Sequence, residues 1–212
     1  MQIIDWLVAN GAVLFESLGI LAFALSGLLV AFEKRLDLVG VAFVAAFTAF
    51  GGGTLRDVLL DRRPFFWVQN QGWVYFILAL CLIAVFFLRQ SVVGFTAKAI
   101  LVPDAIGLGI FSAGGTQIAL VAGMPALIAV LMGVFTAVMG GVLRDLSVRE
   151  IPRAFTDHQP YSVIAFTGCW LVVLGDYLGW NESISVYLAA AVIVLVRLLA
   201  VFRGWRLPAW RN

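Results

Sequence analysis

Two Arg-Asp pairs lie where charge is expensive. Arg56-Asp57 and Arg144-Asp145 each follow a long apolar run, Val39 to Phe50 in one case and Ala126 to Met139 in the other. An ionisable side chain in a bilayer core costs about 2.5–3.5 kcal/mol on insertion scales, so it is normally paired or turned towards water. The chemistry open to such a pair is electrostatic: a guanidinium held neutral by its neighbour, at the mouth of a path for ions or small solutes. At helix ends the same residues can instead reach the interface. Two further acids fall in register, because Glu16 and Asp104, Gly52 and Gly140, and Arg56 and Arg144 all stand 88 residues apart.

Other chemistries are poorly supplied. His158, beside Asp157, is the single histidine, so no histidine-based metal cluster is expected and no tight metal site. No Gly-Lys-Ser/Thr phosphate loop follows a glycine run, and Gly107-Leu108-Gly109 does not complete a dinucleotide fingerprint. An intramembrane protease would need a nucleophile with a base, and His158, in a predicted loop, is the wrong kind of candidate. Neither catalysis, a cofactor nor nucleic-acid binding is expected.

The elements that must position these charges are membrane helices. The chain has 212 residues, 63% hydrophobic and 12% charged, against about 45–50% and about 25% in soluble domains. We read an all-α polytopic membrane protein with a single membrane domain over residues 1–212. A span needs about 20 mostly apolar residues. Seven windows are predicted: Ala12–Phe32, Leu38–Leu59, Gly72–Leu88, Ala99–Val121, Pro125–Leu146, Tyr161–Leu178 and Ser183–Phe202. Met1 to Asn10 lacks the features of a cleaved signal and reads as a short tail with Trp6 at the interface. Cys81 and Cys169 read as small buried hydrophobes.

Basic residues orient the chain. With the N-terminus outside, the inner loops and tail hold Lys34, Arg35, Arg89, Lys98, Arg149, Arg153, Arg203, Arg206 and Arg211, and the outer loops Arg62 and Arg63. The positive-inside rule therefore predicts an outer N-terminus and a cytoplasmic C-terminus.

The offset of 88 extends well beyond the charges. Gly19 matches Gly107, Phe23 matches Phe111, Gly27 matches Gly115, Phe47-Thr48-Ala49 matches Phe135-Thr136-Ala137, and Pro64 matches Pro152. Three predicted helices make one copy, so the second copy enters from the opposite side. This predicts an inverted repeat, about 12–90 against about 99–178, with a seventh helix at about 183–203. Such repeats build transporters and pores around their interface. Two acid–arginine clusters follow: Glu16, Arg56 and Asp57 outside, and Asp104, Arg144 and Asp145 inside. Asp104, after Pro103, also suits the first turn of a helix, where the dipole favours an anion.

Glycine costs a helix about 1 kcal/mol relative to alanine, so Gly51-Gly52-Gly53 and Gly140-Gly141 invite a break or kink. Small residues also let helices approach closely. Recurrence at matched positions favours a water-lined path, with packing contributing. Thr48 and Thr136, about a turn before the glycines, are the better pore-lining candidates, with Thr54 beside them. Ser26, Ser112, Thr116 and Gln117 are further polar residues at helical depth.

Seven helices, an inverted repeat and paired Gly-Gly-x-x-Arg-Asp motifs resemble the prokaryotic trimeric intracellular cation (TRIC) channel family, also labelled glycine transporter (UPF0126). The resemblance covers nearly the whole chain. It implies a homotrimer in the prokaryotic inner membrane, each protomer with its own potassium-permeable pore lined by kinked helices 2 and 5. It also implies a transient cation near Gly51–Gly53 and Gly140–Gly141. Met139 replaces one glycine of the second triplet, which implies a weaker kink there. Each arginine would repel a cation, so Asp57, Asp145, Glu16 and Asp104 are expected to neutralise it and to gate. The leading expectation is a passive monovalent cation channel. The alternatives are a secondary transporter of a small amino acid such as glycine, and a scaffold tolerant of Thr48→Val or Thr136→Val. Carboxylates near helix ends, rather than at mid-membrane, favour the channel.

Overall fold

The computed structural model describes residues 2–87, 97–156 and 158–208, with side chains for residues 13–87, 99–156 and 158–208. Leu88, Arg89, Asp157 and Arg211 lie outside the described residues, as does the predicted loop at Arg89-Gln90-Ser91. Among the described residues are nine helices: α1 (Gln2–Glu33), α2 (Leu38–Leu59), α3 (Phe66–Gln69), α4 (Gly72–Phe87), α5 (Ala97–Val121), α6 (Ala126–Ser147), α7 (Arg153–Thr156), α8 (Ser162–Tyr177) and α9 (Glu182–Arg203). Each predicted span has a helix. Five are long and apolar enough to cross a membrane, while α4 and α8 are apolar but have 16 residues each.

Three expectations change. α1 already begins at Gln2, so the predicted tail is helical, consistent with a stretch that contains neither proline nor, before Gly11, glycine. α5 begins at Ala97 and carries Pro103 within it, so Asp104 lies beyond the first turn and its expected dipole role lapses. The short helices α3 and α7 were not legible as elements.

Two devices set the helix ends. Asp37 caps α2 by accepting the N–H of Gly40 at 2.8 Å, and Asn181 caps α9 by accepting that of Ser183 at 3.0 Å. The turns after α1, α2, α5 and α6 place Arg35, Asp61, Gly123 and Arg149 at φ of 53°, 50°, 77° and 60°. Arg35 and Gly123 are 88 apart, as are Asp61 and Arg149, so the sequence period is also a period of backbone geometry.

α5 packs against α1, α6, α8 and α9, and α2 crosses α1 and α6. The core holds Phe23, Ile20, Leu108, Ile77 and Ile193. The α2–α6 crossing is made by glycine. A Cβ on Gly52 would overlap the Thr136 carbonyl oxygen, and one on Gly140 would overlap that of Thr48. Both helices run unbroken through their glycines, so, of the break or kink suggested by the sequence, a break does not occur. The absent side chains are used to bring two backbones together.

Candidate functional site

The two Arg-Asp pairs are built alike. On α2, Arg56 donates to Asp57 Oδ1 from Nε at 2.9 Å and from Nη2 at 2.7 Å, while Asp57 Oδ2 accepts the N–H of Phe66 at 3.0 Å. On α6, Arg144 Nε donates to Asp145 Oδ1 at 2.8 Å, and Asp145 Oδ2 accepts the N–H of Arg153 at 2.9 Å. Phe66 and Arg153 are the first residues of α3 and α7. Each aspartate therefore neutralises its arginine and also ties the next short helix to the end of the long one. All four charged side chains are buried, where charge-assisted bonds are strongest.

The third acid separates the clusters. Arg144 Nη1 donates at 2.6 Å to Asp104 Oδ1 and at 2.6 Å to Ser26 Oγ, joining α6 to α5 and α1. Ser26 Oγ lies 3.5 Å from the same Asp104 oxygen. Around Arg56 this lock is missing. Among the described residues no ion pair within 4.0 Å joins Glu16 to Arg56, although both line one cavity. The position 88 residues after Ser26 is Gly114, where a Cβ would meet nothing within 4 Å.

The cavities differ accordingly. The larger, about 230 Å³, is walled by Phe15, Glu16, Arg56, Phe111 and Gly114, with Glu182 and Ser183 also lining it. The smaller, about 20 Å³, lies beside Asp104, Gly141, Arg144, Asp145, Tyr161 and Arg197.

Other candidates take structural positions. Thr48 and Thr136 are buried, donate to the Val44 and Met132 carbonyls at 2.6 Å each, and line neither cavity. Their hydroxyls would lie 2.5 Å and 2.8 Å from a Cβ on Gly27 and Gly115, so a close helix contact holds each threonine. Thr54 donates to the Phe50 carbonyl at 2.8 Å and accepts from Trp67 Nε1 at 3.0 Å. Gly51 and Gly53 abut Leu143 and the Phe66 ring, whereas Gly141 faces Arg144, Tyr161 and Asp104.

Two participants escaped the sequence reading. Ser26 was one polar residue among several, and nothing local marked it as a ligand of Arg144. Arg197, buried on α9, donates to Gln159 Oε1 at 3.1 Å and lies 5.0 Å over the Tyr161 ring. Its signal was available, because an arginine inside an apolar span is costly unless partnered.

Beyond the helix ends, Lys34 pairs with Glu150, and Arg153 Nη2 lies 4.0 Å from Glu33 Oε2. Glu150 holds the Lys34 ammonium above its usual 10.5, and Lys34 holds the Glu150 carboxyl below its usual 4.5.

Comparison with known proteins places this architecture. The glycine transporter family model matches twice, at residues 13–90 and 101–177. A UPF0126 membrane protein of Vibrio cholerae is 33% identical over 198 residues, covering 93% of this chain and 82% of the relative. The UPF0126 inner membrane protein YadS of Escherichia coli is 33% identical over 198 residues, covering 92% and 94%. The chain belongs to the TRIC/UPF0126 family.

Solved folds of this family agree. A chain from work on the structural basis for conductance through TRIC cation channels matches with TM-score 0.84 at 30% identity, covering 94% of this chain and 97% of that one. The TRIC trimeric intracellular cation channel orthologue from Rhodobacter sphaeroides matches with TM-score 0.83 at 33% identity, covering 92% and 100%. Like its TRIC/UPF0126 relatives, the chain is an integral membrane protein, with five helices among the described residues of sufficient length and apolarity to span.

Proposed function

We propose that the protein is a passive channel for monovalent cations, with potassium the main permeant ion. The observation that carries this reading is whole-length likeness to TRIC cation channels, at TM-score 0.84. In this reading α1, α2, α4, α5, α6, α8 and α9 are seven membrane helices. The first three and the next three form an inverted repeat. The N-terminus lies outside a prokaryotic inner membrane and the C-terminus in the cytoplasm. Three copies assemble, each with its own path along α2 and α6, and the protein is not an enzyme. The larger cavity is the outer vestibule. The lock of Ser26, Asp104 and Arg144 marks the inner end, and a cation meets Gly51–Gly53 and Gly140–Gly141 on its way, with Thr48, Thr54 and Thr136 lining that passage once the α2–α6 crossing loosens. Neutralised arginines support the reading, because Asp57, Asp104 and Asp145 lower the barrier that two bare guanidiniums would raise.

The test is ion flux into liposomes carrying the purified protein, beside Arg144→Ala. Potassium leak down its gradient without co-substrate, changed by the variant, is expected. A second reading, transport of a small amino acid such as glycine, draws on the description of the family model, and broken or crossing repeats suit alternating access. Saturable glycine uptake driven by a proton or sodium gradient, with no potassium leak, would replace the channel by the transporter.

A further inference from the structure

The two cavities are separated by neither charged cluster. Along α1, Glu16 lines the larger cavity and Ser26 bonds Arg144 beside the smaller, about 15 Å further at 1.5 Å per residue. Between them stands Phe23. Along α5, Asp104 lies at the smaller cavity and Gly114 at the larger, and between them stands Phe111.

The two rings stack, with centroids 5.1 Å apart and planes at 28°. Phe23 is buried at 1% exposure. It fills a notch at Gly107, where a Cβ would overlap its ring, and its other edge lies 3.3 Å from the place of a Cβ on Gly140. Gly140 precedes Gly141, which lines the smaller cavity. Phe111 walls the larger cavity and lies 3.3 Å from the place of a Cβ on Gly19, a notch it shares with Ile110, whose Cγ2 lies 2.7 Å from that place. Each phenyl thus sits opposite a glycine of the facing helix, and Phe23 and Phe111, like Gly19 and Gly107, are 88 residues apart. The stack bridges the two copies of the repeat.

We propose that the Phe23–Phe111 stack is the permeation barrier of this protein, an apolar plug between the two cavities. The inference rests on the channel reading, and it assigns the shut point to two uncharged residues. A narrow apolar constriction excludes water, and an ion then cannot shed its hydration to pass. The charged clusters select and hold at the two ends. The phenyl pair shuts the middle, and its two glycine notches hold the rings in place.

Two readouts test this. Potassium flux is measured in liposomes for the native protein, Phe23→Ala, Phe111→Ala and the space-filling control Phe23→Leu. A membrane-impermeant thiol reagent is then applied to each face of proteins carrying Ser26→Cys, with and without Phe23→Ala or Phe111→Ala, in a background of Cys81→Ala and Cys169→Ala. A separate Ser183→Cys protein in that background marks the face onto which the larger cavity opens. The expected result is flux raised at least about tenfold in both alanine variants, because a wetted gap replaces a dry one. Phe23→Leu stays near the native rate, and the Ser26→Cys thiol reacts from the larger-cavity face only when a phenyl is removed. Native potassium flux that both alanine variants leave unchanged, with unchanged labelling, overturns the barrier and leaves the channel standing. No potassium flux in any protein, but labelling opened by Phe23→Ala, overturns the channel and keeps the barrier. Labelling from that face with both phenyls intact overturns the barrier outright. If Phe23→Ala does not fold, Phe111→Ala carries the same two readouts.

Discussion

Asp57 and Asp145 each serve an arginine with one oxygen and a backbone N–H with the other, but their arginines are not equally provided for. Arg144 has two carboxylates in ion-pair distance, Asp104 and Asp145, and Arg56 has Asp57. Removing one partner of a buried pair costs about 3–5 kcal/mol when the remaining charge is left bare. Asp57→Asn is therefore expected to destabilise the protein by about that amount, and Asp104→Asn by clearly less, since Asp145 stays on Arg144. Thermal unfolding of the two variants in detergent checks the order. Equal losses would mean that Glu16 moves onto Arg56 when Asp57 is lost.

At the scale of elements, the repeated glycines have unequal duties. Gly52 and Gly140 set how closely α2 and α6 approach, each against a carbonyl oxygen that has no flexible end to swing away. Gly114, in the interior of α5, borders open space. Gly52→Ala should therefore force the helices apart and cost at least the 1–3 kcal/mol typical of overpacking. Gly114→Ala should stabilise by up to about 1 kcal/mol through helix propensity. Melting temperatures of opposite sign would separate a packing glycine from a cavity glycine on helices of like composition.

At the scale of the molecule, two ion pairs tie the end of α1 to the segment that follows α6. The Lys34–Glu150 pair is reinforced by Arg153 near Glu33. Because the Glu150 carboxyl is held below 4.5 and the Lys34 ammonium above 10.5, the tie is complete between those values. It weakens as pH falls through the lowered carboxyl value, and again as pH rises through the raised ammonium value. Both side chains are about a third exposed, so the tie is small and screened by salt. Lys34→Ala should shift the melting temperature at neutral pH and low salt, have less effect as pH falls through the lowered Glu150 value, and leave it unchanged in about 1 M salt, where the Debye length is about 3 Å. A shift that persists in high salt would mean that the Lys34 chain contributes by packing.

The sequence by itself determined the membrane class, the place of each long helix, the 88-residue period and the pairing of each arginine with an acid. Those follow from local composition and from residues adjacent in the chain, such as Arg56 beside Asp57. Tertiary structure alone decided that the glycines join helices rather than break them, that Ser26 on α1 reaches Arg144 on α6 and that Glu16 leaves a cavity where Asp104 closes one. A side chain's partner across 118 residues of chain depends on how three helices cross, and a period in sequence does not specify that crossing.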